Sequence, residues 1–244
     1  MTLAEIVAVA AAGFAAGGVN TIVGSGSLIT FPTLLAVGYS PVVANVSNSV
    51  GLVPGGVSGA IGYRRELKGQ WRRVGWLATG TASGALLGGI LLLELPESVF
   101  DAVVPVLILL SAVLMALKRT PAAHTATDHN GAGLAASFAT GIYGGYFGAA
   151  QGIILMSLLR LCYPDDLQRL NGIKIVLTAI ANAVSAALFI LVADVAWEAV
   201  GLIALGSVLG AQVAAKYGRR IPSKGLRWIV VCGATIVAVI LFVT

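Results

Sequence analysis

Charged side chains make up only 10% of the 244 residues, against about 25% in an ordinary soluble domain. A chain so poor in charge and 58% apolar is read as a resident of the lipid bilayer. Apolar runs fill nearly its whole length, so no segment remains for a soluble catalytic or nucleic-acid-binding domain, and the net charge of +5 concerns membrane orientation. Histidine is limited to His124 and His129, both in the polar stretch TPAAHTATDHN. Cys162 and Cys232, the two cysteines, stand in apolar runs without metal-ligand spacing and are read as small packing residues. No catalytic residue, metal site or cofactor is expected. A membrane-embedded enzyme, which needs a nucleophile beside a base or a metal cluster, is therefore the weaker alternative. A permease subunit that depends on a partner protein is another. The N-terminal stretch lacks a basic region and its apolar pattern runs past signal-peptide length, so it is read as mature chain.

What the sequence has in abundance is apolar runs of membrane length. A spanning helix needs roughly 20 apolar residues, and segments 41–63, 71–93, 98–117, 169–192, 195–215 and 226–243 qualify. Segments 3–38 and 132–162 are too long for one crossing and barely enough for two. Each carries a glycine-rich break in its middle, at Gly24 to Gly26 and at Gly144 to Gly148. Both are read as helical hairpins dipping into the membrane, since glycine allows turns that other residues do not.

Basic residues in short loops mark the cytoplasmic side. Arg64, Arg65, Lys68, Arg72 and Arg73 put the 64–73 loop inside. If 132–162 enters and returns on one side, the loop with Lys216, Arg219, Arg220, Lys224 and Arg227 also falls inside. Every Lys and Arg except Lys174 then lies in or beside a cytoplasmic loop, and both termini lie on the non-cytoplasmic side.

The chain also repeats itself. At an offset of 124, Phe14, Gly17, Gly24 and Tyr39 match Phe138, Gly141, Gly148 and Tyr163. At 126, Trp71, Gly75, Gly80, Gly84 and Pro96 match Trp197, Gly201, Gly206, Gly210 and Pro222. The fold class expected is an all-α polytopic membrane protein of two inverted-topology repeats, each a Gly-broken hairpin plus three transmembrane helices. Residues 1–120 form the first repeat, 121–131 a cytoplasmic linker and 132–244 the second. Substrate then sits near the midplane, where broken helices of the two halves meet.

Candidate ligands follow from polarity at membrane depth. In the first hairpin these are Asn20, Gly24, Ser25, Gly26 and Ser27, with Thr21 beside them. Asn171, Lys174, Thr178, Asn182 and Ser185 share one helical face. An ionisable group inside a membrane marks a functional site by default, whereas snorkelling accounts for Lys174 but not for the stripe below it. At an offset of 124, Asn171 maps to Ser47 and Lys174 to Val50, which predicts one anion site, not two. Asn45 and Asn48 offer amide donors from the opposite repeat, and Gln151 and Tyr143 flank the second turn. For all these small polar groups, close helix packing is the competing role. It is the preferred one for Gly80, Gly84, Gly206 and Gly210.

The run GFAAGGVNTIVGSGSLITFPTLLAVGYSPVVANVSNSV, with the later LNGIKIVLTAIANAVSAALFI, resembles the TauE/SafE family of sulfite exporters over essentially the whole chain. The resemblance implies a transporter, in the export direction, of sulfite, an organosulfonate such as sulfoacetate, or another small sulfur oxyanion across the bacterial inner membrane. It points to Gly24, Gly26, Pro32, Asn171 and Lys174. The second hairpin departs from the family pattern, with GAAQG in place of a Gly-rich turn followed by Pro. The partners expected are a small sulfur-containing anion and the lipid bilayer, with no nucleic acid; a homodimer is left open.

Overall fold

A computed structural model describes residues 1–116 and 129–218, and the elements within them are helical. In chain order they are α1 (Leu3–Ile22), α2 (Ser27–Ala36), α3 (Pro41–Gly62), α4 (Trp71–Glu94), α5 (Glu97–Ala116), α6 (Asn130–Tyr146), α7 (Gln151–Cys162), α8 (Leu167–Val192) and α9 (Trp197–Tyr217). The expected span 226–243, nearly all of the linker 121–131 and the basic residues from Arg219 onward lie outside the described residues. Of the described helices, α1, α4, α8 and α9 are long and apolar enough to cross a membrane.

Local chemistry sets the helix starts. Thr2 opens α1 with a capping box, its hydroxyl accepting from the Glu5 N–H at 3.3 Å while its own N–H donates to Glu5 Oε2 at 2.8 Å. Pro41 stands at the first turn of α3, where its missing N–H costs no hydrogen bond. Asp166 caps α8 by accepting from the N–H groups of Gln168 and Arg169.

The two glycine-rich segments break where their glycines stand, the first between Ile22 and Ser27 and the second between Tyr146 and Gln151, and the first leaves unequal limbs. α1 runs 20 residues and α2 only 10, so the descending limb alone is about 30 Å long. Asn20 and Thr21 stand in the last turn of α1, and their carbonyls find donors elsewhere in the fold. Gly24 then turns the chain with φ +91°. In the second hairpin α6 and α7 are 17 and 12 residues, and the turn uses Gly148 at φ +76° and Ala150 at φ 58°. Ala150 is left-handed without being glycine, at a cost of about 1–2 kcal/mol. The second segment closes on itself: the His129 N–H donates to the Cys162 carbonyl at 3.2 Å, so its two ends meet.

Small residues draw the helices together. α1 packs on α9 and α6 packs on α4, while α3 lies against α8 and α9 and α8 against α3 and α4. A Cβ on Gly210 would stand 1.9 Å from the Phe14 carbonyl oxygen, and one on Gly88 would stand 2.0 Å from that of Ile142. Gly80, Gly84 and Gly206 sit in the same two seams against neighbouring backbone, the packing role expected for them.

The ends of the helices separate by charge. Arg73 is ion-paired with Asp165 and lies 4.3 Å from the Tyr163 ring centroid, and Gly62 abuts Ala215. These contacts put the 62–71 loop, the 163–167 loop and the end of α9 on one face. The N-terminal amine lies 4.0 Å from Glu198, which puts the starts of α1 and α9 on the other. Trp71 and Trp197 each open a helix and are each 59% exposed, one at each face.

Candidate functional site

The tips of the two hairpins meet backbone to backbone. The Gly152 N–H donates to the Gly24 carbonyl at 3.0 Å. A Cβ on Gly24 would lie 2.6 Å from the Gly152 Cα, so no side chain fits between them. Phe31 of α2 and Phe147 of the second turn stack edge to face beside this contact, 5.3 Å between centroids, and Phe100 adjoins Phe147 and Tyr146.

The polar stripe of α8 faces this junction on one side. Lys174 is fully buried, with 0% of its surface exposed. Its Nζ donates to the Asn20 carbonyl at 3.2 Å and approaches that of Thr21 at 3.5 Å; Asn171 Nδ2 donates to the Thr21 carbonyl at 3.1 Å. The last carbonyls of a helix lack partners within it and carry the negative end of its dipole, about half an elementary charge. The ammonium of Lys174 is thus seated on the end of α1, where its charge is favoured. It stands seven positions after the start of α8, roughly 10 Å along the helix, and its Nζ points inward to the end of α1 and not out toward a helix end.

A matching arrangement closes the other hairpin. Asn45 Nδ2 donates to the Tyr146 carbonyl, the last residue of α6, at 2.9 Å. Asn45 and Asn171 stand 126 positions apart and each donates to the last turn of the opposite hairpin's first helix, a role that Ser47 does not share; Asn48, at the same spacing from Lys174, instead bonds Ser27 and Thr30. Ser47 instead accepts from the Ala196 N–H at the start of α9, at 2.9 Å. Gly24 and Gly148, 124 positions apart, both take positive φ. Charge remains on one side only, as the sequence implied. The Asn45 Oδ1 is buried with no hydrogen-bond partner among the described residues, leaving an acceptor for water or a protonated ligand.

Other candidates group around α2. Asn48 Nδ2 donates to Ser27 Oγ at 3.1 Å, and the Thr30 hydroxyl donates to Asn48 Oδ1. Ser25 and Gly26 are buried in the same turn. Gln151 folds back within its own hairpin, donating to the Thr140 carbonyl at 3.1 Å, and Tyr143 donates to the Ala149 carbonyl at 2.5 Å with Ser111 Oγ 2.9 Å away. Tyr143 and Ser111 of α5 thus brace the second turn. Thr178 donates to the Ile175 carbonyl of its own helix at 3.1 Å, and Asn182 is buried further along the stripe. Lys174, Asn171, Asn20 and Thr21 therefore form one cluster, and Asn48, Ser27 and Thr30 a second. Gln151 and Tyr143 belong to the second turn's internal bracing. Thr30 and Ser111 escaped the sequence reading. Thr30 was accessible, since it stands one turn after Ser27 on α2; Ser111 had no local signal.

The family described as sulfite exporter TauE/SafE matches residues 9–241. A "Probable membrane transporter protein" of Haemophilus influenzae is 28% identical over 209 residues, 84% of this chain and 81% of its own length. The "Probable membrane transporter protein ORF9" of a Sinorhizobium species is 28% identical over 84% of this chain and 80% of its own. The "Probable membrane transporter protein YfcA" of Escherichia coli K12 is 28% identical over 88% and 80% respectively. No solved structure matches the chain.

Proposed function

The chain belongs to the sulfite exporter TauE/SafE family and is a multi-pass membrane transporter; from that premise we propose that it is a secondary carrier moving a small sulfur oxyanion, sulfite or an organosulfonate such as sulfoacetate, out of the cytoplasm. The observation that carries this reading is the fully buried ammonium of Lys174 beside the crossing of two broken helices. Backbone freed from helical pairing is tolerated at membrane depth only inside protein or along a wet cavity, and here it brings Lys174 and Asn171 to the end of α1 near the Asn48, Ser27 and Thr30 cluster. A sulfonate or sulfite offers oxygens for charge-assisted hydrogen bonds. Asn171, Ser25, Ser27, Asn48, Gly24 and Gly26 are the groups we assign to it besides Lys174, with Asn20, Asn45, Thr178, Asn182, Gln151 and Tyr143 shaping the walls.

The reading includes two inverted repeats, residues 1–120 and 132–244. Its support is the exchange of partners between halves: α1 lies on α9 as α6 lies on α4, and α8 closes the end of α1 as α3 closes that of α6. Transport then consists of one half moving against the other around the cation. The basic face is assigned to the cytoplasm by the positive-inside rule.

The test is purified protein in liposomes loaded with sulfite or sulfoacetate, without ATP. Efflux above that of empty liposomes is expected, and its loss in Lys174→Gln. That substitution removes the charge while keeping an N–H donor on the side chain. Wild-type flux in Lys174→Gln would reduce Lys174 to a helix cap and remove the anion site.

A further inference from the structure

A groove of about 350 Å³ opens between α3 and α8, with the exposed Val57, Ile61 and Trp71 in its lining. It is concave because its floor is made of small residues. Ala60, Ala179 and Ala183 lie between the larger Val57 and Ile61 of α3 and Val176 and Ile180 of α8. The helices themselves are in close contact here, since a Cβ on Gly56 would meet the Ala179 Cβ at 2.8 Å.

The order of residues gives the groove a direction. Along α3 it runs from Val57 through Ile61 to Arg64, and along α8 from Ala183 back to Val176, both toward the basic face. Seven residues of either helix measure about 10 Å, which fits within a single leaflet of about 15 Å. The deep part is wholly apolar. The rim at the face carries Arg64 and the 59% exposed Trp71, a cation and an indole at headgroup level.

We propose that this groove is a specific site for an anionic phospholipid of the basic-face leaflet, one acyl chain lying along Ala60, Ala179 and Ala183 and the phosphate on Arg64. An apolar trough capped by one cation fits the shape and charge of such a lipid. A second copy of the chain fits it poorly, because a twofold axis along the membrane normal brings equal depths together and would set Arg64 against its own copy. The site straddles α3 and α8, the two helices that end the broken helices of the opposite hairpins, so an occupant bears on their relative position. The proposal rests on the membrane setting and not on the identity of the transported anion.

The test uses full-length protein in detergent, titrated with phosphatidylglycerol or phosphatidylcholine of identical acyl chains, read by thermal shift and by native mass spectrometry. The wild type should prefer phosphatidylglycerol by about fivefold, the effect of one cation at an anionic surface. Arg64→Gln should lose that preference, and Ala183→Trp, which fills an exposed position, should lose the retained lipid of either headgroup. Equal retention of both lipids by the wild type, or an undiminished preference in Arg64→Gln, overturns the proposal. So does a change of oligomeric state, in place of lipid loss, in Ala183→Trp.

Discussion

Lys174 condenses the residue-scale argument. Placing an ammonium seven residues inside a membrane helix costs free energy unless something answers it, and the end of α1 answers with two carbonyls and the negative pole of a 20-residue helix. Truncation to Ala leaves those carbonyls with Asn171 alone among these donors, a loss of about 1–3 kcal/mol, and should abolish sulfite efflux. Thermal unfolding in detergent measures the first and liposome flux the second. Asn171→Ala and Asn45→Ala each remove one amide from a helix end and should each cost about 1 kcal/mol in the same unfolding assay. Asn171→Ala should also weaken sulfite binding, whereas Asn45→Ala should act through the second hairpin. The polar stripe on α8 was legible because Asn171, Lys174, Thr178, Asn182 and Ser185 follow helical spacing. That the stripe meets the end of α1 was not, because main-chain carbonyls carry no signature in sequence.

At the scale of elements, two turns of the first hairpin, at Gly24 and at Gly38, differ in how they tolerate change. Gly24 has positive φ and also touches Gly152, while Gly38 has φ +99° with no atom within 4 Å of a built Cβ. Gly38→Ala should therefore cost only the strain of a left-handed alanine, about 1–2 kcal/mol, and preserve flux. Gly24→Ala adds a collision with main chain that cannot rotate away, and should give unfolded or inactive protein. Similar melting temperatures for the two variants would mean the hairpin tips are not in contact. The breaks themselves were legible from clustered glycines. What closes the end of α1 was not, because nothing in its apolar residues says that the Asn20 and Thr21 carbonyls find donors on a helix some 150 residues away.

For the molecule as a whole, the pattern of Lys and Arg gave the arrangement of the described helix ends. Arg73 pairs with Asp165, and Arg169 lies 3.9 Å from Asp165 and 3.5 Å from Asp166, on the face where charge counting put them all. Cysteines introduced at Lys68 and Ser40, both exposed, should be labelled by an impermeant thiol reagent only from the cytoplasmic and only from the external side respectively. Labelling of both from one side would remove the orientation. The sequence pairs Asn171 with Ser47 at an offset of 124, whereas the matching hydrogen bonds to the hairpin ends are made by Asn171 and Asn45. Small apolar residues allow several alignments, and hydrogen bonds to the opposite hairpin choose among them.

The reciprocal closure of helix ends bears on biogenesis. When the first 116 residues have left the ribosome, the donors that finish α1 have yet to be made, for they belong to α8. The second hairpin, in turn, must find an asparagine already in place on α3. Each half is thus an unfinished object until the other is inserted. Two separately expressed fragments divided between residues 117 and 128 should be degraded alone and survive together.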